Sequence, residues 1–184
     1  MGKILQLKII LRDIEPKIWR RFLVYDNISF HELHGIIQDT MGWENYHLYE
    51  FDIGGDQLGM VDDDALDSNP KQINALKTKL FRYLQTEKQK FLYLYDFGDS
   101  WEHELIVEKI FDEIPKEVSK IPYCLDGVRA CPPEDCGGEN GYERFVEILE
   151  TGKDPFGEDV VELKEWLGDW KPEEFDINKI NKIL

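Results

Sequence analysis

The stretch ILQLKIILRDIEPKIWRRFLVYDNISFHELHGIIQDTMGW, Ile4 to Trp43, decides the fold. Its first part alternates, with Leu5, Leu7, Ile9 and Leu11 on one face and Gln6, Lys8 and Arg12 on the other, which is the period of a half-buried strand. Asp13-Ile14-Glu15-Pro16 supplies a turn. KIWRRFLVY then sets Ile18, Arg20, Phe22 and Val24 against Trp19, Arg21, Leu23 and Tyr25, so the two segments are expected to pair as a hairpin. After Tyr25 the period changes. Ser29 with Glu32 three residues on forms a capping box, Phe30, Leu33, Ile37 and Met41 make a helical stripe, and Gly42 is placed to stop it. A strand pair followed by a capped amphipathic helix must bury that helix against the sheet.

Working outward, HLYEFDI sets Tyr49, Phe51 and Ile53 opposite Glu50 and Asp52 and closes at Gly54-Gly55, which reads as a strand. Residues 56–75 read as an acidic, turn-rich excursion. Asp62 to Asn69 lacks the central glycine and the spacing of a calcium loop. FLYLYDF and WEHELIVEKI return as strands joined by a turn at Asp-Phe-Gly-Asp-Ser, and the second places Trp101, His103, Leu105 and Val107 on one face. From about Pro115 to Glu139 the prolines and glycines predict irregular chain. Asn140 with Glu143 reads as an N-cap for a helix through Tyr142, Phe145, Val146 and Leu149, stopped by Gly152. A second helix runs through Val160, Leu163, Trp166 and Leu167 to Gly168, and Asp176 caps a last short one.

The expected architecture is one α+β domain over residues 1–184. It has a largely antiparallel sheet of about five to six strands, one helix packed on it, and a C-terminal layer of two to three short helices. A chain of 184 residues is long enough to bury a core without staples, and 42% apolar residues are enough to fill one despite the charge. There is no signal-like N-terminus and no spanning apolar run, so a soluble cytoplasmic protein is expected.

The net charge of -16 is uneven. Residues 1–92 carry 12 Lys/Arg against 14 Asp/Glu, whereas residues 93–184 carry 10 against 24. An acidic surface of that kind repels phosphate backbones, so nucleic acid is an unlikely partner and a basic protein a better one. The basic residues that could oppose this reading, Arg20, Arg21 and Lys77 among them, sit in the front half.

Asp96-Phe97-Gly98 lacks the glycine-rich loop, strand lysine and catalytic loop of a kinase, so it reads as a turn. His103 points inward with Trp101, where an imidazole needs a partner, and Asp96 or Asp99 is expected to supply it. Asp96, Asp99, His103 and Arg129 are therefore the candidate catalytic set. His31, His34 and His47 lack the His-Glu-x-x-His zinc spacing. Cys124, Cys131 and Cys136 are three, an odd number, in a chain without an export signal, which argues against a disulfide framework. Of their spacings only Cys131-x4-Cys136 suits a metal knuckle. With His103 as a distant fourth ligand they are the candidates for a structural zinc, and otherwise no cofactor is expected.

Four pieces, PKIWRRFLV, LHGIIQDTMGWENYHLYEF, YDFGDSWEHELIVEK and CLDGVRACPPEDCGGENGYERFVEIL, with a late EWLG, resemble the plasmid pRiA open-reading-frame-three-like family over about Leu5 to Ile180. Members are also labelled passenger proteins of an insertion element. Where members read His-Leu-His-Glu-Phe this chain has Tyr49 for the second histidine. The resemblance implies an α+β fold and no particular reaction, while the mobile-element label implies a nucleic-acid accessory role that the charge opposes. The reading from the residues is a protein-binding or adaptor module using the acidic half, with Trp101, Trp166 and Trp170 as anchors. The alternative is a small enzyme with its site between the Asp96 to His103 corner and the cysteine loop.

Overall fold

The structure is a computed structural model and describes residues 2–60 and 72–184. The stretch compared with a calcium loop lies outside the described residues. Strand β1 (Ile4–Leu11) is followed by β2 (Trp19–Tyr25), helix α1 (Phe30–Met41), β3 (Tyr49–Ile53), β4 (Asp56–Gly59), β5 (Ile73–Asn74), a 3-10 turn at Leu80–Arg82, β6 (Lys90–Tyr95), β7 (Trp101–Phe111) and β8 (Tyr123–Val128). Helices α2 (Gly138–Thr151), α3 (Val160–Leu167) and α4 (Ile177–Ile183) complete the chain. Among the described residues the strands form one sheet in the order β5-β4-β3-β6-β7-β1-β2-β8, antiparallel throughout except for the β4–β5 pair.

The sheet therefore has eight strands where five to six were expected. Two of the added strands, β4 and β5, are short pieces of the segment read as an excursion. Hydrogen bonding to β3 and to each other holds them, and little internal pattern does. The third, β8, lies in the segment read as irregular. Pro122 stands just before it, where the ladder needs no N–H, and the Pro132-Pro133 and Gly137-Gly138 breakers lie beyond its end. Gly127 within β8 is required by close approach. A Cβ there would come within 2.6 Å of the Phe175 ring and 2.7 Å of Arg20 Cδ.

The opening hairpin and helix form as their pattern dictates. Leu5, Leu7, Ile9 and Leu11 of β1 and Ile18, Phe22 and Val24 in and before β2 are buried with Phe30, Leu33, Ile37 and Met41 of α1 in one core. The Ser29 hydroxyl accepts from Glu32 N at 3.1 Å, and Ser29 N donates to the Glu32 carboxylate at 2.6 Å. Gly42 closes the helix in the left-handed region at φ 106°, its N–H donating to Gln38 O. Ile4 and Leu23, on the opposite pleat, pack with Val118 in a separate small cluster.

The C-terminal helices differ from expectation in one detail. Helix α2 begins at Gly138 after Gly137 rather than at Asn140, and no side chain caps it. The glycines explain the earlier start, because they let the chain turn tightly onto its neighbours. A Cβ on Gly138 would lie 2.9 Å from Asp99 O, and one on Gly141 would collide with the Cys136 carbonyl. Asp159 caps α3 through Val161 N, Gly168 ends it, and Asp176 caps α4 through Asn178 N and Lys179 N. No helix among the described residues is long and apolar enough to cross a membrane.

Candidate functional site

Cross-strand pairing builds an aromatic floor. Tyr49 faces Tyr95, which faces Trp101, and in the next row Phe51, Tyr93, His103 and Leu11 follow one another across four strands. Alpha-helix α1 lays His34 on this floor, stacked on Tyr49 with ring centroids 3.7 Å apart. The Asn45 carbonyl accepts from His34 Nε2 at 2.6 Å, which leaves Nδ1 to accept from the Tyr93 hydroxyl at 2.8 Å. Gln38 donates to the same hydroxyl at 3.0 Å, and its own carbonyl accepts from Asn45 N. Burial holds His34 neutral, its pKa pushed down to about 4. This network ties the loop after α1 to the sheet, and that loop carries His47.

Three separate segments meet at His47. Its Nδ1 lies 3.7 Å from Asp96 Oδ1 in the β6–β7 turn, and its Nε2 lies 3.1 Å from Asp135 Oδ1 and 3.9 Å from Glu134 Oε2 in the cysteine loop. Asp96 Oδ1 also accepts from Gly98 N at 2.8 Å. Glu134 Oε1 accepts from the Tyr95 hydroxyl at 2.9 Å and from Glu44 N at 2.8 Å. Trp43 Nε1 donates to Pro132 O and anchors the same loop. Burial, then Glu134, raises the Tyr95 hydroxyl well above its ordinary range, so it is the proton donor in that bond.

Beside this cluster runs a groove of about 750 Å³. Trp166, Trp170 and Phe175 contribute its aromatic surface, with Met41, Leu167 and Ile183. Its carboxylates come from three places: Asp39 and Glu44 in and after α1, Glu134 and Asp135 in the cysteine loop, and Asp169, Glu174 and Asp176 between α3 and α4. Lys171 and Lys179 are its lysines. Its arginine, Arg20, is buried and turned to backbone, donating to the carbonyls of Thr40, Trp19, Val128 and Arg129 at 2.7–3.1 Å. The groove is thus acidic and aromatic.

The family model for plasmid pRiA4b ORF-3-like proteins matches residues 3–179. The chain belongs to that family. It is 36% identical over 187 residues to the uncharacterised protein y4hQ of Sinorhizobium fredii, covering 100% of this chain and 92% of that one. It is also similar to the crystal structure of a Methanosarcina mazei Go1 protein of unknown function, MM3350, with 38% identity, a TM-score of 0.81 and 97% of each chain covered.

Three of the four sequence pieces that carry the family resemblance supply the His47 cluster, yet the residues expected to act together in this pRiA4b ORF-3-like chain are largely kept apart. Trp101 and His103 do face inward, but among the described residues no aspartate bonds His103. Its Nδ1 meets Tyr93 O at 3.3 Å, its Nε2 has no hydrogen-bond partner, and burial pushes its pKa down to about 3. Asp96 is occupied by its own turn and by His47, while Asp99 accepts from Gly137 N. Arg129 donates to Glu173 and to Pro16 O. The cysteines are buried and free, and burial pushes Cys124 up to about 11 and Cys131 and Cys136 to about 12, so they stay protonated thiols. Among the described residues the set of three or more ligand atoms drawn together is His47, Asp96 and Asp135, without a cysteine or His103. Trp101 is buried and offers no anchor, whereas Trp166 is half exposed.

Spacing from His31 and His34 gives His47 no metal signature. The partners that matter lie 49 and 88 positions away at Asp96 and Asp135, and only the fold brings them in. Arg20 and Arg21 likewise do not make a basic surface. Arg20 is buried, and Arg21 donates to Glu108 at 2.6 and 3.0 Å.

Proposed function

We propose that this protein is a binding module whose groove holds a cationic, partly apolar segment of another protein. The observation that carries this reading is the composition of the groove: seven carboxylates and an aromatic surface with Trp166 exposed, against two lysines, since its arginine is consumed by backbone carbonyls. Trp166, about half exposed, offers a large apolar contact of the kind enriched at interface centres. The surrounding acids steer a cationic segment toward it and reject polyanions.

A lysine- and arginine-rich amphipathic peptide is the probe. Asp169→Lys with Glu174→Lys should slow its association far more than it speeds release, and Trp166→Ala should speed release. Asp112→Lys with Glu113→Lys, on the loop after β7 and away from the groove, should change neither rate. Equal effects of the two charge reversals would reduce the attraction to net charge and remove the groove from the account.

A further inference from the structure

We propose that His47, Asp96, Glu134 and Asp135 form a binding site for one divalent first-row transition cation. One nitrogen of His47 and one oxygen each of Asp96 and Asp135 lie within 4.8 Å of one another. Atoms bonded to one such ion at about 2.0–2.2 Å sit about 2.8–3.6 Å apart at octahedral or tetrahedral angles, so small adjustments of these side chains close the shell.

Two further observations point to an ion rather than to a simple ion pair. His47 Nε2 is shut off from solvent and makes no hydrogen bond, although Asp135 Oδ1 is 3.1 Å away, and Glu134 Oε2, 3.9 Å from the same nitrogen, is equally buried and unbonded. Two buried polar atoms that face one another and make no hydrogen bond are costly unless something positive joins them. Second, three carboxylates gather here, and among the described residues no lysine or arginine pairs with any of them. A dication balances that charge better than one imidazolium does.

The neighbouring groups are arranged as those behind a metal ligand are. Tyr95 and Glu44 N hold one oxygen of Glu134 and leave the other free, Gly98 N fixes Asp96, and the Trp43 bond to Pro132 O anchors the loop that bears both remaining acids. One imidazole with carboxylate oxygens selects zinc, manganese, iron(II), cobalt or nickel over copper(I), and the imidazole disfavours calcium and magnesium. The site shares Glu134 and Asp135 with the edge of the groove, but its ion is tested by metal uptake alone, without the peptide.

The test is to strip the protein with a chelator and titrate it with zinc by calorimetry and with cobalt by visible absorption. One ion per chain is expected, with a rise in the thermal midpoint. Asp135→Asn changes a largely exposed side chain and should leave the circular dichroism unchanged while weakening the ion by about tenfold or more. His47→Gln should abolish the cobalt spectrum, and Cys136→Ser should leave it as it is. No uptake by the stripped protein, uptake unchanged in both His47→Gln and Asp135→Asn, or a cobalt spectrum lost in Cys136→Ser would each overturn the assignment.

Discussion

Arg20 shows how a charged side chain can be structural. It is almost wholly buried, its ionised form disfavoured by desolvation, and among the described residues no carboxylate pairs with it. The neighbouring thiols stay protonated, so the charge is held by four carbonyl bonds, including one to Thr40 at the C-terminal end of α1, and by the Phe175 ring 4.8 Å away. Arg20→Met strands those carbonyls and should cost about 3 kcal/mol in denaturant unfolding. The two buried histidines give a pH signature. His34 and His103 hold folded pKa values of about 4 and about 3 against 6.5 when unfolded, so below that value the unfolded chain takes up protons the folded one refuses. Stability is therefore complete above about pH 6.5 and falls toward pH 4 by about 1.4 kcal/mol per pH unit for each histidine. His103→Phe should remove about half of that slope in melts between pH 7 and 5, and an unchanged slope would show that His103 titrates normally. Strand alternation made the direction of His103 legible in the sequence. It could not show that Asp96 would spend its oxygen on Gly98 N and face His47 instead.

At the scale of elements, legibility followed local physics. The capping box, the helical stripe and Gly42 are self-contained within α1, and the alternating hairpin needs only its own pattern, so both read correctly. Ser29→Ala removes the hydroxyl bonded to Glu32 N and should cost about 1 kcal/mol, measured by the denaturation midpoint. Strands β5 and β8 are defined by partners distant in sequence, whereas β4 folds back on β3 at the Gly54-Gly55 turn and is hidden by its short, polar Asp-Gln start. The start of α2 is silent in the sequence because a glycine pair meeting the Asp99 backbone leaves no cap signature. Gly141→Ala drives a methyl into the Cys136 carbonyl and should detach α2 from the cysteine loop, read as early hydrogen exchange of that helix while the β1–β2 amides stay protected. Uniform protection in that variant would show that the helix can shift without cost.

The whole molecule is a sheet with its apolar face under α1, and a C-terminal layer of three helices, of which α2 and α3 are acidic and α4 carries two lysines and no acid. The charge asymmetry was visible in the sequence. Its concentration along an aromatic groove was not, because Asp39, Glu134 and Asp176 come together only through the packing of α1, the cysteine loop and α4. That groove carries the central claim, and amide chemical-shift mapping tests it most directly. With a basic amphipathic peptide added to isotope-labelled protein at low salt, the account predicts perturbations concentrated in Asp39 to Glu44, the cysteine loop and Trp166 to Asp176, fading as salt screens the charges. Perturbations centred on the basic stretch from Lys77 to Lys90, or none at all, would contradict it.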